Sequence, residues 1–246
     1  MPDSRRHRGP HPEDAILFRR PEHLRKLHLA AGDLAWLLGR QYAPESALTL
    51  VGNRYQLHQR QRRALSRAVA APAVACARRQ RQVAPSALAG ERLQVDALNQ
   101  IITIEVALAA GLILRGHDGA WRDLASVHRT YRTVLETPRA LAAMGQYLAS
   151  LEAQEVVFLI DAAVSNSGRL ASKLRALAAA HAWPWQATLV PSADPILQDT
   201  TDIVATSDRA ILDKARRWFD LAAAVVQHIA PTAWCIDLDA PPPVVD

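Results

Sequence analysis

Three aspartates in the second half of the sequence each follow a short apolar run, and they are the first candidates for chemistry. Asp96 ends the run that begins at Leu93, Asp161 directly follows residues 155–160, and Asp208 follows residues 202–207. In open α/β sheets, ligands bind outside the carboxyl ends of the strands. If the three runs are strands of one parallel sheet, the pattern predicts three carboxylates at the same edge.

Carboxylates that converge in this way repel one another and need a partner. Two of them about 4 Å apart repel by roughly 4 kcal/mol at an effective dielectric near 20. A cluster is therefore neutralised by a proton, an arginine or a cation, and Mg²⁺ and Mn²⁺ prefer oxygen ligands. The alternative is structural, because aspartate is a common helix N-cap in βα loops, and Ser207 and Asp208 are both good helix starters.

Several polar residues near these aspartates are candidates for supporting roles. Asn99 lies about one helical turn after Asp96 and either orients that carboxylate or is a surface helix residue. The loop of residues 165–168 offers backbone amides to an anion at a helix start, or simply caps that helix. Asp118 is a reserve carboxylate, although an Asp-Gly turn explains it as well. The supporting set is Asn99, Asp118, Ser165, Ser167, Gly168, Thr206 and Ser207.

A basic and aromatic stretch lies between the first two aspartates. Arg122, Arg129 and Arg132, with His128 and Tyr131, form a candidate clamp for an anionic substrate. His128 is also a candidate for acid–base chemistry, with a structural histidine as the alternative.

Periodicity predicts the elements that position these residues. Apolar residues recur at helical spacing over 21–42, 56–70 and the segment after Pro72, with a β-prone run at 47–51 and a linker at 85–91. Strands and helices then alternate, which favours a mostly parallel sheet with right-handed crossovers. We expect strands at 93–96, 111–115, 155–160, 186–190, 202–206 and 232–236, and helices after Asp96, at 137–151, at 165–181 and from Asp208 to Ile229.

Charge divides the chain into a basic and an acidic half. Residues 1–92 hold 17 Lys and Arg against 7 Asp and Glu, whereas residues 93–246 hold 12 against 17. A polyanion-binding region joined to a metal-binding domain would show this distribution. With only three lysines, the arginine content also reflects composition bias. The expected nucleic-acid contacts are Arg54, Arg60, Arg62, Arg63, Arg67, Arg78, Arg79, Arg81 and Arg132, and for any one of them a solvated helix face is the alternative.

The cysteines and the lengths of the apolar runs narrow the class of protein. Cys76 and Cys235 have no CxxC partner, which argues against a zinc finger and suits a reducing cytoplasm. No apolar run approaches the ~20 residues of a membrane span, and the N-terminus lacks the apolar core of a signal peptide. We therefore predict a cytoplasmic protein with no membrane partner, and an oligomer is possible.

The motifs resemble those of a known superfamily. The order strand-Asp96-x-x-Asn99, strand-Asp161, then 206–211 is similar to PIN-like and NYN-like nucleases. The whole chain resembles a prokaryotic family of unknown function in which a basic N-terminal segment precedes a PIN-like domain. The closest matches are residues 51–57, 59–64, 161–168 and 205–211.

The resemblance implies a fold and a metal site. It implies an α/β fold with a mostly parallel, PIN-like (Rossmannoid) sheet flanked by helices, preceded by a mainly helical basic region. We expect residues 1–11 to be disordered, 12–84 to form the basic region, 92–238 the PIN-like domain, and 239–246 a disordered tail. Asp96, Asp161 and Asp208 would be catalytic metal ligands, with Glu105 as an acidic residue supplied by a helix and Mg²⁺ or Mn²⁺ as the ion.

The expected function is metal-dependent hydrolysis of phosphodiesters, with RNA a better candidate than DNA. No GxSxG motif or convincing Cys-His pair offers a covalent nucleophile. Two alternatives remain: a non-catalytic nucleic-acid-binding protein on the same scaffold, and a phosphatase acting on a small substrate.

Overall fold

The computed structural model describes residues 6–125 and 131–243 of the chain. Its α-helices are α1 Asp14–Arg19, α2 Pro21–Gly39, α3 Pro44–Arg54, α4 Gln59–Ala68, α5 Pro72–Gln80, α6 Ala97–Leu108, α7 Thr137–Ala149, α8 Ser167–His181, α9 Ala193–Asp199, α10 Arg209–Lys214 and α11 Leu221–Ile229. Its strands are β1 Arg92–Asp96, β2 Ile113–Arg115, β3 Trp121–Asp123, β4 Glu155–Asp161, β5 Trp185–Val190, β6 Ile203–Ala205, β7 Trp218–Phe219 and β8 Cys235–Asp237. A 3₁₀ helix spans Pro85–Leu88.

These elements form two compact units that do not follow chain order. Of the described residues, unit 1 contains 6–8, 81–109, 125 and 131–233, and unit 2 contains 9–80, 110–124 and 234–243. The long N-terminal segment of unit 2 ends at residue 80, and unit 1 continues from residue 81. The predicted boundary between the basic region and the PIN-like domain lies close by, between residues 84 and 92. Residues 110–124 and 234–238, which we expected in the PIN-like domain, belong instead to unit 2.

Unit 1 is built on a five-stranded sheet in the order β5-β4-β1-β6-β7. All neighbouring strands are parallel, with Leu93 opposite Val156 on one side of β1 and opposite Ile203 on the other. The predicted α/β class with a mostly parallel sheet is thus confirmed.

Burial explains why these short runs form central strands. Leu93 and Val95 of β1 and Phe158 of β4 are fully buried, and α6 is buried along most of its length. Parallel strands covered on both faces read as apolar runs, which is the pattern that the sequence shows.

The order of the strands creates a crevice between β1 and β6. After β1 the chain adds β4 and then β5 on one side, and it returns to add β6 and β7 on the other side. The connections therefore leave β1 and β6 in opposite directions. At such a switch point the crevice outside the carboxyl ends of the strands is a common ligand site, and Asp96 and Thr206 lie there.

Unit 2 joins the five N-terminal helices to a small sheet. The sheet has the order β3-β2-β8, with β2 antiparallel to β3 and parallel to β8. Buried Phe18, Leu27, Leu34 and Leu65 pack with Leu114 in one apolar cluster. The predicted strands at 111–115 and 232–236 are therefore strands of a separate sheet.

Two predicted elements were wrong. The β-prone run 47–51 lies inside α3, because Pro44 suits the first turn and Ala47 and Val51, four residues apart, both face the core. The long helix from Asp208 to Ile229 is broken after Lys214, where buried Trp218 and Phe219 pair with β6 and Asp220 caps α11.

The chain termini lie partly outside the described residues. Within the expected disordered segment, the carbonyl of Arg6 accepts a hydrogen bond from Leu135 N (3.0 Å), and Arg8 pairs with buried Glu105. Residues 1–5 and 244–246 lie outside the described ranges. Throughout the described parts, no helix is long and apolar enough to cross a bilayer.

Candidate active site

The crevice between β1 and β6 is organised by the hydroxyl of Thr206. This hydroxyl donates a hydrogen bond to Oδ2 of Asp96 (2.9 Å) and accepts one from the backbone N–H of Asp208 (3.0 Å). The side chain of Thr206 is fully buried. It therefore fixes the two predicted carboxylates relative to each other.

Asp96 is held in an unusual electrostatic environment. Burial raises the pKa of its carboxyl group to about 7, the Thr206 hydroxyl opposes this, and the charges of Asp208 and Asp194 raise it further. Asp96 occupies the N-cap position of α6, and a hydrogen bond from the backbone of Asn99, in the first turn of that helix, lowers the pKa of its carboxyl group. A structural role at the helix start and a role in the site are therefore both compatible with its position.

Asp208, in contrast, does cap a helix. Its Oδ1 atom accepts hydrogen bonds from the backbone N–H groups of Ala210 (2.8 Å) and Ile211 (3.3 Å) at the start of α10. The cap fixes the orientation of the carboxylate, and its charge acts on both Asp96 and Asp194. Capping α10 therefore does not remove the charge of Asp208 from the crevice.

Asn99 holds the loop between Asp96 and Asp208. Its Oδ1 atom accepts hydrogen bonds from the backbone N–H (2.9 Å) and hydroxyl (3.1 Å) of Ser207, and from the side chain of Gln100 (2.7 Å). In turn Gln100 accepts from the backbone N–H of Ala222 at the start of α11 (2.8 Å). The side-chain oxygen of Asn99 is therefore bonded to the loop that carries Ser207.

Asp161 ends β4 next to another acidic residue that sequence reasoning missed. Its Oδ1 atom accepts a hydrogen bond from the backbone N–H of Ala193 (2.7 Å), which brings the first turn of α9 to this strand end. The next residue, Asp194, has a pKa raised by partial burial and by the charges of Asp208 and Asp161. Asp194 thus links Asp161 electrostatically to the β1–β6 crevice.

The sequence contained a signal for Asp194. It follows strand β5 by a few residues, as Asp208 follows β6, and it lies in the first turn of α9.

The site offers oxygen donors of the type that hard cations prefer, but it is not a closed cage. Within residues 6–125 and 131–243, no group of three or more His, Cys, Asp or Glu side chains is arranged to hold a metal ion. Magnesium commonly takes one or two protein carboxylates and completes its coordination with water and substrate phosphate. Asp96 and Asp208 would provide two protein carboxylates, a number that such a magnesium site uses.

The loop predicted to bind phosphate leads into α8 as expected. α8 begins at Ser167, which is buried, after Asn166 in a left-handed conformation, and no side chain caps the helix. The hydroxyl of Ser167 contacts the carbonyl of Ala162 (3.4 Å), whereas Ser165 and Gly168 are exposed. The structure does not test phosphate binding here, which stays a prediction.

Glu105 is not placed with the aspartates and is corrected as a metal ligand. It lies nine residues beyond Asp96 on α6, and a rise of 1.5 Å per residue separates the two by about 13 Å. Its buried carboxylate pairs with Arg8 and accepts hydrogen bonds from the hydroxyls of Tyr131 (2.8 Å) and Thr137. It is thus a structural acid inside unit 1.

Asp118 is likewise corrected, since it forms a buried ion cluster in unit 2. It bonds to Arg78 (2.8 Å) and to both terminal nitrogens of Arg122 (2.7 Å each). Burial opposes ionisation, but Arg122 and Arg78 outweigh it and hold the pKa of Asp118 at about 2. Arg122, expected in a substrate clamp, and Arg78, expected on nucleic acid, are both buried and share this one carboxylate.

The other arginines expected to contact nucleic acid differ in their surroundings, because several contact groups within the protein and others are exposed. Arg60 pairs with buried Asp14. Further contacts among the described residues include those of Arg54 with Asp33, Arg62 with Asn53, Arg67 with Asp123, Arg79 with Asp239 and Arg81 with the carbonyl of Ala215. Arg63 and Arg132 are exposed. His128 and Arg129 of the predicted clamp lie outside the described residues.

Comparisons with known proteins identify families that are described as being of unknown function. A family model described as a domain of unknown function (DUF5616) matches residues 85–224, more than half of the chain. A second model, described as a protein of unknown function (DUF434), matches residues 26–81. An uncharacterized protein of Methanocaldococcus jannaschii is 25% identical over 202 residues, covering 81% of this chain and 96% of that protein. No solved structure matches the chain.

Proposed function

The chain belongs to the family described as a domain of unknown function (DUF5616), and we propose that it is a metal-dependent nuclease. The proposed substrate is nucleic acid, RNA in preference to DNA, and the reaction is hydrolysis of a phosphodiester bond. The proposal includes a PIN-like identity for unit 1, supported by a parallel sheet in which β1 and β4 end in an aspartate and β6 is followed by Asp208.

A single observation carries the proposal. Thr206 bonds both to the carboxylate of Asp96 and to the backbone of Asp208, at the point where the order of strands reverses. Two acids held at a switch point by a buried hydroxyl are a pre-organised anionic site. Folding them together costs free energy, which binding of a cation would offset.

Asp96 and Asp208 are the residues that would hold Mg²⁺ or Mn²⁺, with Asp161 and Asp194 beside them. When bound, such an ion neutralises charge on a phosphoryl group and lowers the pKa of a coordinated water. The donor set is entirely oxygen, which suits these ions and not Zn²⁺ at a structural Cys or His site.

The protein's own groups supply orientation. Thr206 keeps one oxygen of Asp96 in place, and the amides of α10 keep Oδ1 of Asp208 in place. Asn99 holds the Ser207 loop between them. In the metal-free protein the pKa of Asp96 is about 7, so a cation that binds to this carboxylate at neutral pH would displace a proton from it.

Cleavage of a labelled single-stranded RNA in Mn²⁺, compared between wild type, Asp96→Asn and Asp208→Asn, tests the proposal. Wild-type protein should cleave, and each variant should lose at least about a hundredfold in rate, the loss expected when an electrostatic group is removed. Glu152→Gln, which changes an exposed carboxylate, is the control outside the site. Binding of RNA without any cleavage would favour the non-catalytic alternative, and turnover of a nucleotide monophosphate alone would favour the phosphatase.

A further inference from the structure

The exposed face of α2 carries a row of cationic and apolar residues. Arg25, Leu29, Gly32, Trp36 and Arg40 follow one another at intervals of three or four and are all exposed, so they share one face of the helix. We call this row the α2 stripe. Its 15-residue length corresponds to about 22 Å at 1.5 Å per residue.

Trp36 is the centre of the stripe. Its side chain is 53% exposed, although an indole ring normally contributes most when it is buried. The guanidinium of Arg40 stacks on it, 3.6 Å from the ring centroid. Exposed aromatic rings next to arginine are the surfaces on which the bases of single-stranded nucleic acids stack.

Gly32 leaves open space beside this ring. A Cβ atom placed on Gly32 would have no neighbouring atom within 4 Å. Glycine in an exposed helix interior is less favourable than alanine. Here the absence of a side chain leaves the helix backbone uncovered in the middle of the stripe.

Charge along the stripe favours a polyanion. Arg25 and Lys26 are exposed, and neither they nor Arg40 forms an ion pair with a carboxylate in the described residues. This distinguishes them from Arg60 and Arg78, which neutralise buried aspartates. The nearby Asp33 is bonded to Tyr55 (2.8 Å) and paired with Arg54.

We infer that the α2 stripe binds single-stranded nucleic acid, with a base stacked on Trp36 and phosphates at Arg25, Lys26 and Arg40. The inference rests on the proposed function, because it names the single-stranded form of the proposed substrate. A duplex keeps its bases stacked and paired, so it cannot offer one to the indole.

The apolar area of the stripe is too small for a stable contact between two copies. A large aromatic side chain buries at most about 250 Å², so Trp36 and Leu29, each about half exposed, offer on the order of 200 Å². A standard protein interface buries about 800 Å² on each partner. A charged strand needs less apolar contact, because its phosphates provide most of the attraction.

Binding of a labelled 12-nucleotide single-stranded RNA to the full chain in EDTA, followed by fluorescence anisotropy, tests the inference. Trp36→Ala should weaken binding about 5- to 100-fold, the range for loss of one base–aromatic stack, and Trp36→Phe should weaken it less. Leu50→Ala, an exposed apolar change on α3, is the matched control and should leave Kd unchanged. Arg25→Ala should reduce the slope of log K against log salt by about one, whereas Trp36→Ala should not.

Several results would overturn the inference. They are an unchanged Kd for Trp36→Ala, equal binding of a duplex of the same sequence, or a change in molar mass by light scattering in Trp36→Ala. A DNA strand of the same length distinguishes RNA from DNA. Because EDTA removes the metal, binding is measured independently of cleavage. RNA binding through Trp36 without cleavage would end the nuclease proposal alone, and cleavage with no effect of Trp36 would end this inference alone.

Discussion

The hydroxyl of Thr206 donates a 2.9 Å hydrogen bond to Asp96, and this contact joins the ends of β6 and β1 where the direction of the sheet connections reverses. Because the same hydroxyl accepts from the backbone N–H of Asp208, one buried side chain contacts both the carboxylate of Asp96 and the backbone of Asp208. The site therefore depends on the order of the strands in the sheet. We expect substitutions in it to change both the stability of the protein and its chemistry.

The first prediction concerns the stability cost of Asp96. Its pKa rises to about 7 in the folded protein from 3.8, so the folded state binds the proton more tightly than the unfolded state. The contribution of Asp96 to stability is then most favourable below about pH 4, falls as pH rises towards 7 and is constant above it, with a total loss of about 4 kcal/mol. Asp96→Asn should therefore have a higher Tm than wild type at pH 8, and the difference in Tm should be much smaller at pH 5.

Thermal unfolding at the two pH values in EDTA measures this difference. Glu152→Gln, which changes an exposed carboxylate, is the control and should show no such dependence on pH. A lower Tm for Asp96→Asn at pH 8 would show that the carboxylate is not a source of strain in the metal-free protein.

The second prediction concerns the proton that a metal ion displaces. If Mn²⁺ binds to Asp96, a carboxyl group with a pKa of about 7 should release most of one proton on binding at pH 6.5 and almost none at pH 8.5. Calorimetry in two buffers of different ionisation enthalpy counts the protons. Asp96→Asn should abolish the release, and equal release in both proteins would assign the proton elsewhere.

The third prediction separates positioning from binding. Asn99→Ala leaves the backbone N–H and hydroxyl of Ser207 without their acceptor, which costs about 1–3 kcal/mol of stability. It should also lower kcat for RNA cleavage about 10- to 100-fold with little change in KM, since Asn99 orients the loop rather than the substrate. Asn99→Asp keeps both acceptor positions and should restore part of kcat; a rise in KM alone would instead make Asn99 a substrate contact.

The fourth prediction assigns Asp118 to stability. Its folded pKa of about 2 lies below the ordinary value of 3.8, so the stability it contributes is present above about pH 4 and is lost as pH falls through 2. The loss amounts to about 2 kcal/mol. Asp118→Asn should remove this acid dependence and destabilise unit 2 by about 3–5 kcal/mol, because Arg78 and Arg122 lose their buried counter-ion.

Urea unfolding between pH 2 and 5 checks the Asp118 prediction. The Mn²⁺ affinity of the folded Asp118→Asn protein should equal that of wild type. A large loss of Mn²⁺ affinity without a loss of stability would return Asp118 to the candidate ligands.

The strands of the five-stranded sheet could be predicted because strands that are buried on both faces consist mainly of apolar residues. Leu93, Val95 and Phe158 face covered layers, so the runs that contain them are apolar throughout, and an aspartate ends or follows each. The sequence at 47–51 shows the limit of this reasoning. Its apolar residues favour a strand locally, yet Ala47 and Val51 pack as neighbours on a helix, and tertiary contact decides the outcome.

The arginines show a second limit. Helical spacing cannot distinguish a guanidinium that faces solvent from one that neutralises an acid distant in sequence. Arg78 pairs with Asp118 across 40 residues and Arg60 with Asp14 across 46. Glu105 was misplaced for the same reason, because its partners Tyr131 and Thr137 are remote along the chain.

A crystal of the protein soaked in Mn²⁺ and measured at an anomalous wavelength shows whether Asp96 and Asp208 share a cation. We expect an anomalous peak within about 2.1 Å of a carboxylate oxygen from each residue, the distance typical of Mg²⁺ coordination. A well-ordered site with no peak at saturating Mn²⁺, or a peak that touches neither aspartate, would contradict it.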